Sequence, residues 1–154
     1  MTKLNSVDEI LDFAIDREQE SADFYNELAG KVDTPAMKTV FEGFAKEELG
    51  HKAKVEAVKS GKKLLSSEKK VLDLKIGDYL VEVDTTDDEE KYDYQKALIV
   101  AMKKEKAAFR LYSDLAAMAA DAEIQALFAG LAQEEAKHKL RFEVEYDDVV
   151  LAEN

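Results

Sequence analysis

The chain holds only two histidines, and both sit in the same phrase: EELGHK at 47–52 and EEAKHK at 134–139. Each histidine follows a glutamate by three residues, giving Glu48-x-x-His51 and Glu135-x-x-His138. On a helix, residues three apart share a face, with Cβ atoms roughly 5–6 Å apart. A carboxylate and an imidazole at that spacing can bind the same metal pair. Carboxylate and imidazole donors accept iron, manganese or zinc, so the ligand types alone do not choose among them.

The two phrases belong to an internal repeat. An offset of 87 residues lays AIDREQESADFYNELA (14–29) over AMKKEKAAFRLYSDLA (101–116), and FEGFAKEELGHK (41–52) over FAGLAQEEAKHK (128–139). Roughly 13 of about 43 aligned positions are identical. Among them are Glu18/Glu105, Tyr25/Tyr112, Glu48/Glu135 and His51/His138. Such self-similarity reorganises the reading of the whole chain.

Each copy reads as a helical hairpin. Ser6 and Glu9 form a capping pattern before a first helix over 7–31. Thr34 and Pro35 suit the start of a second helix, which runs to Ser60 and stops at Gly61. Thr86 and Glu89 repeat the capping pattern before a third helix, and Asp121 can cap a fourth. The expected organisation is one domain over 1–154. It comprises a hairpin over 7–60, a crossover over 61–90 and a hairpin over 91–146. The crossover fits neither helix nor strand periodicity, and a short helix packed on the bundle is the expectation there. Its ~30 residues exceed what a tight turn needs and suit a connection along the full length of a bundle.

Helical periodicity places the chemistry inward. Met37, Phe41, Phe44, Glu48, His51, Val55 and Val58 recur at steps of three and four, and Ile124, Phe128, Leu131, Glu135, His138 and Phe142 repeat the pattern. The first and third helices carry Leu11, Ala14, Glu18, Tyr25, Leu28 and Leu98, Ala101, Glu105, Tyr112, Leu115. Four glutamates therefore face a core whose stripes hold no lysine or arginine. A buried carboxylate costs several kcal/mol unless it is paired or bound to metal, so divalent cations answer the problem. The midpoint of Glu18 and Glu48 is residue 33, and that of Glu105 and Glu135 is residue 120. Both fall in expected turns, so each pair should meet at one height. Tyr25 and Tyr112, two turns beyond Glu18 and Glu105, can fill the core or donate to a metal-bound carboxylate. Glu47, Glu134, Lys52 and Lys139 lie one step off the stripes and read as surface residues.

Composition bounds the function. The 154 residues contain 46% apolar residues, one proline and no cysteine, which favours helix and excludes thiolate sites within the chain. A net charge of −12 opposes nucleic acid and anionic membranes as partners. No run approaches a membrane span and the N-terminus shows no signal peptide, so a soluble cytoplasmic protein is expected.

These motifs resemble the rubrerythrin family of the ferritin-like superfamily. The likeness covers nearly the whole chain. It rests on E-x6-Y in REQESADFY and KEKAAFRLY, each followed by LA, and on E-x-x-H in both copies. It implies an all-α, ferritin-like four-helix bundle of two repeated hairpins joined by a long crossover. It makes Glu18, Glu48, His51, Glu105, Glu135 and His138 ligands of two iron ions, with Glu48 and Glu135 bridging. It also implies reduction of hydrogen peroxide or dioxygen with external electrons, and a homodimer. Two departures stand out. Many rubrerythrins carry a four-cysteine rubredoxin-type centre; here an electron donor such as a rubredoxin-type protein would have to be separate. Ala108 stands where rubrerythrins carry an additional glutamate ligand that takes part in iron movement between redox states. Six ligands also match bacterioferritin-type sites, but Leu49 occupies the place of their haem-binding methionine. Beside the enzyme stand two other readings: an iron-oxidising or storage protein, and a structural bundle with a vestigial site.

Overall fold

The computed structural model describes residues 7–61, 79, 81, 93–119 and 121–153. Among the described residues four helices carry the fold: α1 (Val7–Lys31), α2 (Pro35–Gly61), α3 (Tyr94–Met118) and α4 (Ala122–Glu153). No strand occurs among the described residues. No helix among them is long and apolar enough to cross a membrane.

The ends of these helices follow from local chemistry. Asp8 and Glu9 lie in the first turn of α1 and Lys31 in its last, matching the helix dipole at both ends. Pro35 opens α2, where a missing N–H costs nothing, and the Thr34 carbonyl accepts the first bond from Lys38 N at 3.1 Å. Asp121 caps α4, its Oδ1 accepting from Glu123 N at 2.7 Å. Ser6 lies outside the described residues, as does the 62–78 part of the connector where a short helix was expected.

Two boundaries differ from the expectation. The third helix begins at Tyr94 and not near 91, because Asp93 is its cap: Oδ1 accepts from Lys96 N at 3.2 Å. Thr86 and Glu89 fall outside the described residues. The fourth helix continues past 146 to Glu153. No glycine or proline interrupts 147–153, and Tyr146 and Val149 still find apolar partners in the core.

Helix α1 packs along α2 and α3 along α4, and the hairpins meet through α1–α3 and α2–α4. Two apolar clusters fill the interior. One joins Ile10, Leu11, Val55, Val58, Leu111, Leu115, Phe128 and Leu131; the other joins Tyr25, Leu28, Met37, Phe41, Leu98 and Phe142. The clusters also reveal the path of the chain. The C-terminal end of α2 (Val55, Val58) lies in the first cluster with the C-terminal end of α3. The N-terminal end of α3 lies in the second, where the Tyr94 and Phe41 rings are 6.4 Å apart. Helices α2 and α3 therefore run parallel. The end of α2 at Gly61 and the start of α3 at Tyr94 therefore lie at opposite ends of the bundle, about 40 Å apart for a helix the length of α2. Tyr79, between them in the sequence, is buried against Phe13 and donates to Asp114 at 2.7 Å.

Candidate metal centre

Between the two apolar clusters lies a layer of buried polar groups. Glu18, Glu48, His51, Glu105, Glu135 and His138 are each at most 3% exposed. The structure brings all six sequence-predicted residues to one place. Glu18 comes from α1, Glu48 and His51 from α2, Glu105 from α3, and Glu135 and His138 from α4.

Their donor atoms form two interlocking quartets. In one, Glu18, Glu48, His51 and Glu135 offer ligand atoms all within 4.8 Å of one another; in the other, Glu48, Glu105, Glu135 and His138 do the same. Glu48 and Glu135 belong to both. His51 Nδ1 lies 3.2 Å from Glu18 Oε2, 3.2 Å from Glu48 Oε1 and 3.1 Å from Glu135 Oε1. His138 Nδ1 lies 3.4 Å from Glu48, 3.5 Å from Glu105 and 3.8 Å from Glu135. The imidazoles stand nearly parallel, 6.1 Å apart, with Phe44 stacked on His138 at 3.9 Å.

The donors fit a pair of divalent ions. Both oxygens of Glu48 and of Glu135, one of Glu105, His51 Nδ1 and both nitrogens of His138 are buried without a hydrogen-bond partner. Orphaned buried polar atoms are rare in folded proteins, and here they converge on one point. Carboxylate and imidazole are the donors that such ions take.

Electrostatics show the strain that cations would relieve. Burial, reinforced by the charge of Glu48, pushes Glu18 up to about 7 and Glu105 up to about 8. Burial and the neighbouring Glu105 raise Glu135 well above the carboxylate range. Burial opposes ionised Glu48 as well, but the His138 and His51 imidazoles beside it outweigh burial and lower that carboxyl to about 2. Burial likewise opposes a charged His138, yet Glu105 and Glu48 raise it to about 10. His51 moves the same way, with Glu135, Glu18 and Glu48 overcoming its burial. Protons thus shared among carboxylates and imidazoles perform the neutralisation that two cations would provide.

The tyrosines brace the carboxylates across the bundle. Tyr112 of α3 donates to Glu18 of α1 at 2.8 Å, and Tyr25 of α1 donates to Glu105 of α3. Each phenol therefore serves the carboxylate of the opposite hairpin, two turns from its own. Burial, then the adjacent carboxylate, raises both phenols well above their usual range, so they remain donors.

Two residues read as surface groups turn out to touch the centre. Glu134 is 40% exposed, yet its Oε2 accepts from His51 Nε2 at 2.5 Å. Glu47 is 50% exposed and lies 3.4 Å from His138 Nε2. Each glutamate immediately precedes the motif of one helix and reaches the histidine of the other. A signal was available: the 87-residue offset superposes Glu47 on Glu134, an identical pair. Lys52 and Lys139 pair on the surface with Gln19 and Glu143, at 2.8 and 3.2 Å.

A bundle of two repeated hairpins with such a centre between them defines a ferritin-like carboxylate bundle. The model of the rubrerythrin family matches residues 9–146, and the chain belongs to that family. Among solved structures it is similar to a ferritin-like diiron-carboxylate protein from Thermotoga maritima. That likeness has a TM-score of 0.76 and 21% identity, covering 97% of this chain and 99% of the other. It is also similar to a hypothetical protein from Pyrococcus furiosus, with a TM-score of 0.67, 25% identity and coverage of 90% and 87%. No curated protein matches the chain.

Proposed function

We propose that the chain is a di-iron oxidoreductase that reduces hydrogen peroxide or dioxygen with electrons supplied from outside. The observation that carries this reading is the pair of interlocking quartets sharing Glu48 and Glu135. Such sharing suits two ions: Glu18 and His51 would hold one, Glu105 and His138 the other, and Glu48 and Glu135 would serve both. Family membership favours iron over manganese or zinc. Two iron ions would supply the electrons that cleave an O–O bond. The protein's own part is to hold that chemistry in place. Tyr112 and Tyr25 fix the outer carboxylates, Glu134 fixes the His51 ring, and the apolar clusters on either side keep water away.

The chain has no cysteine, so a thiolate-iron donor would be a separate protein, of the rubredoxin type. A cytoplasmic homodimer completes the proposal.

Anaerobic titration with ferrous iron tests it, in the native chain and in His51→Ala. The expected result is saturation at two ions per chain, an absorbance change on adding peroxide or oxygen, and repeated turnover when a reductant is present. His51→Ala should lose the second ion. Absence of stoichiometric binding would leave a structural bundle. Oxidation of added ferrous iron without peroxide turnover would leave the iron-oxidising reading.

A further inference from the structure

The face of α4 turned away from Glu135 and His138 carries an apolar stripe of its own. Among the described residues four large apolar side chains stand exposed, and three belong to this helix: Leu140 at 61%, Val144 at 47% and Leu151 at 72%. Ala129 and Ala136 share their face, and Gln133 and Asp147 complete the steps of three and four between them. From Ala129 to Leu151 the stripe runs about 33 Å. Single exposed apolar residues are ordinary, whereas a continuous stripe marks a contact surface. Beside it, between α3 and α4, lies a groove of about 330 Å³ whose lining includes Lys106, Phe109 and Ala136. The repeat puts Leu49 at the place of Ala136 in the first hairpin. The smaller side chain leaves room in the second.

The stripe is graded along the helix. Its large residues lie toward the C-terminal end and its alanines toward the N-terminal end. Antiparallel packing of a second α4, with both Leu140 side chains on the two-fold axis, sets Val144 against Ala136 and Leu151 against Ala129. Each large residue then meets a small one, and Asp147 meets Gln133. Parallel packing would set Leu151 on Leu151 and Asp147 on Asp147, with alanines facing across a gap. Charge agrees with the antiparallel register. Glu105 and Glu135 meet at one height on antiparallel helices, so Lys106 stands level with residue 134, on the groove side. Asp147 of a second copy arrives at that level and on that flank. Glu143, nearby, is already held by Lys139 of its own helix at 3.2 Å. In a chain of net charge −12, a local match of this kind lets a second copy approach.

We propose that a second copy of this chain docks antiparallel along the outer face of α4, with Leu140 on the two-fold axis and Val144 seated in the groove beside Phe109 and Ala136. The inference rests on the homodimer reading above and supplies its interface. The contact is isologous, the same patch on both copies, so it closes at two chains. Lys106 and Ala136 directly follow Glu105 and Glu135. Docking therefore covers the outer side of the helical turns that carry two of the metal-centre carboxylates.

The test measures the mass of the full chain in solution by light scattering, at micromolar concentration, and maps the contact by cysteine cross-linking. The native chain should be a dimer. Leu140→Lys sets two like charges on the axis and should weaken the dimer by roughly a hundredfold, with helix content by circular dichroism unchanged, because Leu140 lies outside the core. The chain has no cysteine of its own, so single introduced thiols report the register. A disulfide needs Cα atoms within about 7 Å. Leu140→Cys should cross-link to itself under mild oxidation. Ala136→Cys and Val144→Cys should each stay single, since like positions are then about 12 Å apart along the axis, while a mixture of the two should cross-link. A native monomer overturns the homodimer reading and this surface together, and leaves the stripe to a different protein. An assembly that survives Leu140→Lys and gives no cross-link at 140 overturns this surface and leaves the homodimer standing. Self-linking of Ala136→Cys or Val144→Cys, with none at 140, overturns the antiparallel register.

Discussion

The α2–α4 face and the α1–α3 face of the centre use the same crossed scheme with opposite chemistry. On the α2–α4 face each imidazole is met by a glutamate of the facing helix, Glu134 for His51 and Glu47 for His138, and both glutamates stand half in water. On the α1–α3 face each outer carboxylate is met by a phenol of the facing helix, Tyr112 for Glu18 and Tyr25 for Glu105, and both phenols are buried. The division is physically sensible. An imidazole that binds metal through Nδ1 must give up its other proton outward, and an anionic acceptor makes it a stronger ligand. A carboxylate that binds metal needs a donor which never becomes a competing anion. A buried phenol beside a carboxylate meets that need, because its own ionisation is suppressed. Glu48 and Glu135 lie between the faces and belong to both quartets.

That central position gives the largest expected effect. Glu135→Ala removes a donor from both quartets, whereas Glu18→Ala removes one from a single quartet. Elemental analysis after saturation with ferrous iron should find no ion retained at micromolar free metal in Glu135→Ala, and one in Glu18→Ala. Equal losses in the two variants would break the picture of two halves joined by shared carboxylates.

The second effect separates protons from metal. Without metal, Glu18 and Glu105 have folded values of about 7 and about 8, above the carboxylate's ordinary 4.5. Between pH 4.5 and those values the folded state keeps protons that the unfolded state has released. Stability therefore falls as pH rises through this window, by about 1.4 kcal/mol per pH unit for each such proton. His138, raised to about 10 from 6.5, extends the fall to higher pH by the same logic. Glu48, lowered to about 2, works in the other direction, and its contribution is lost only as pH falls below 4.5. The melting temperature of chelator-treated protein should thus drop between pH 5 and 8, while the iron-loaded protein should change little, its ions having displaced those protons. Parallel pH profiles for the two forms would contradict the assignment.

Much of this centre was legible in the sequence, for a definite reason. The three-and-four spacing on a helix fixes which residues share a face, so Glu48, His51, Glu135 and His138 could be placed inward among phenylalanines. The turn midpoints at 33 and 120 fixed their heights. What spacing cannot supply is azimuth between hairpins. Tyr25 was visible as a donor at the right level, yet nothing in its own helix says that it serves Glu105 and not Glu18. Glu47 and Glu134 were hidden by the same limit. One step off the apolar stripe reads as solvent on an isolated helix. In the bundle that step points toward the neighbouring helix, where a histidine edge waits. The start of α3 was obscured differently: DTTDDEEKYD offers several side chains able to cap a helix, and periodicity does not rank them.

The smallest effect lies within the α2–α4 face, whose halves are not equal. His51 Nε2 is 2.5 Å from Glu134, a strong charge-assisted bond, while His138 Nε2 is 3.4 Å from Glu47, beyond good hydrogen-bond length. Phe44 stacks on His138 and supplies part of the orientation that the longer contact does not. Replacing an outer partner of a metal-bound histidine costs on the order of 10–100-fold in affinity. Glu134→Gln keeps an acceptor oxygen but removes the charge, so its cost should fall near the lower end of that range, on the ion held by Glu18 and His51. Glu47→Gln should change the ion held by Glu105 and His138 by less than about threefold, since the contact it weakens is already long. Competition of each variant with a chromophoric chelator reads the two affinities separately. Were the two substitutions to cost the same, the halves would be equivalent with metal bound, and the asymmetry would belong to the metal-free arrangement alone.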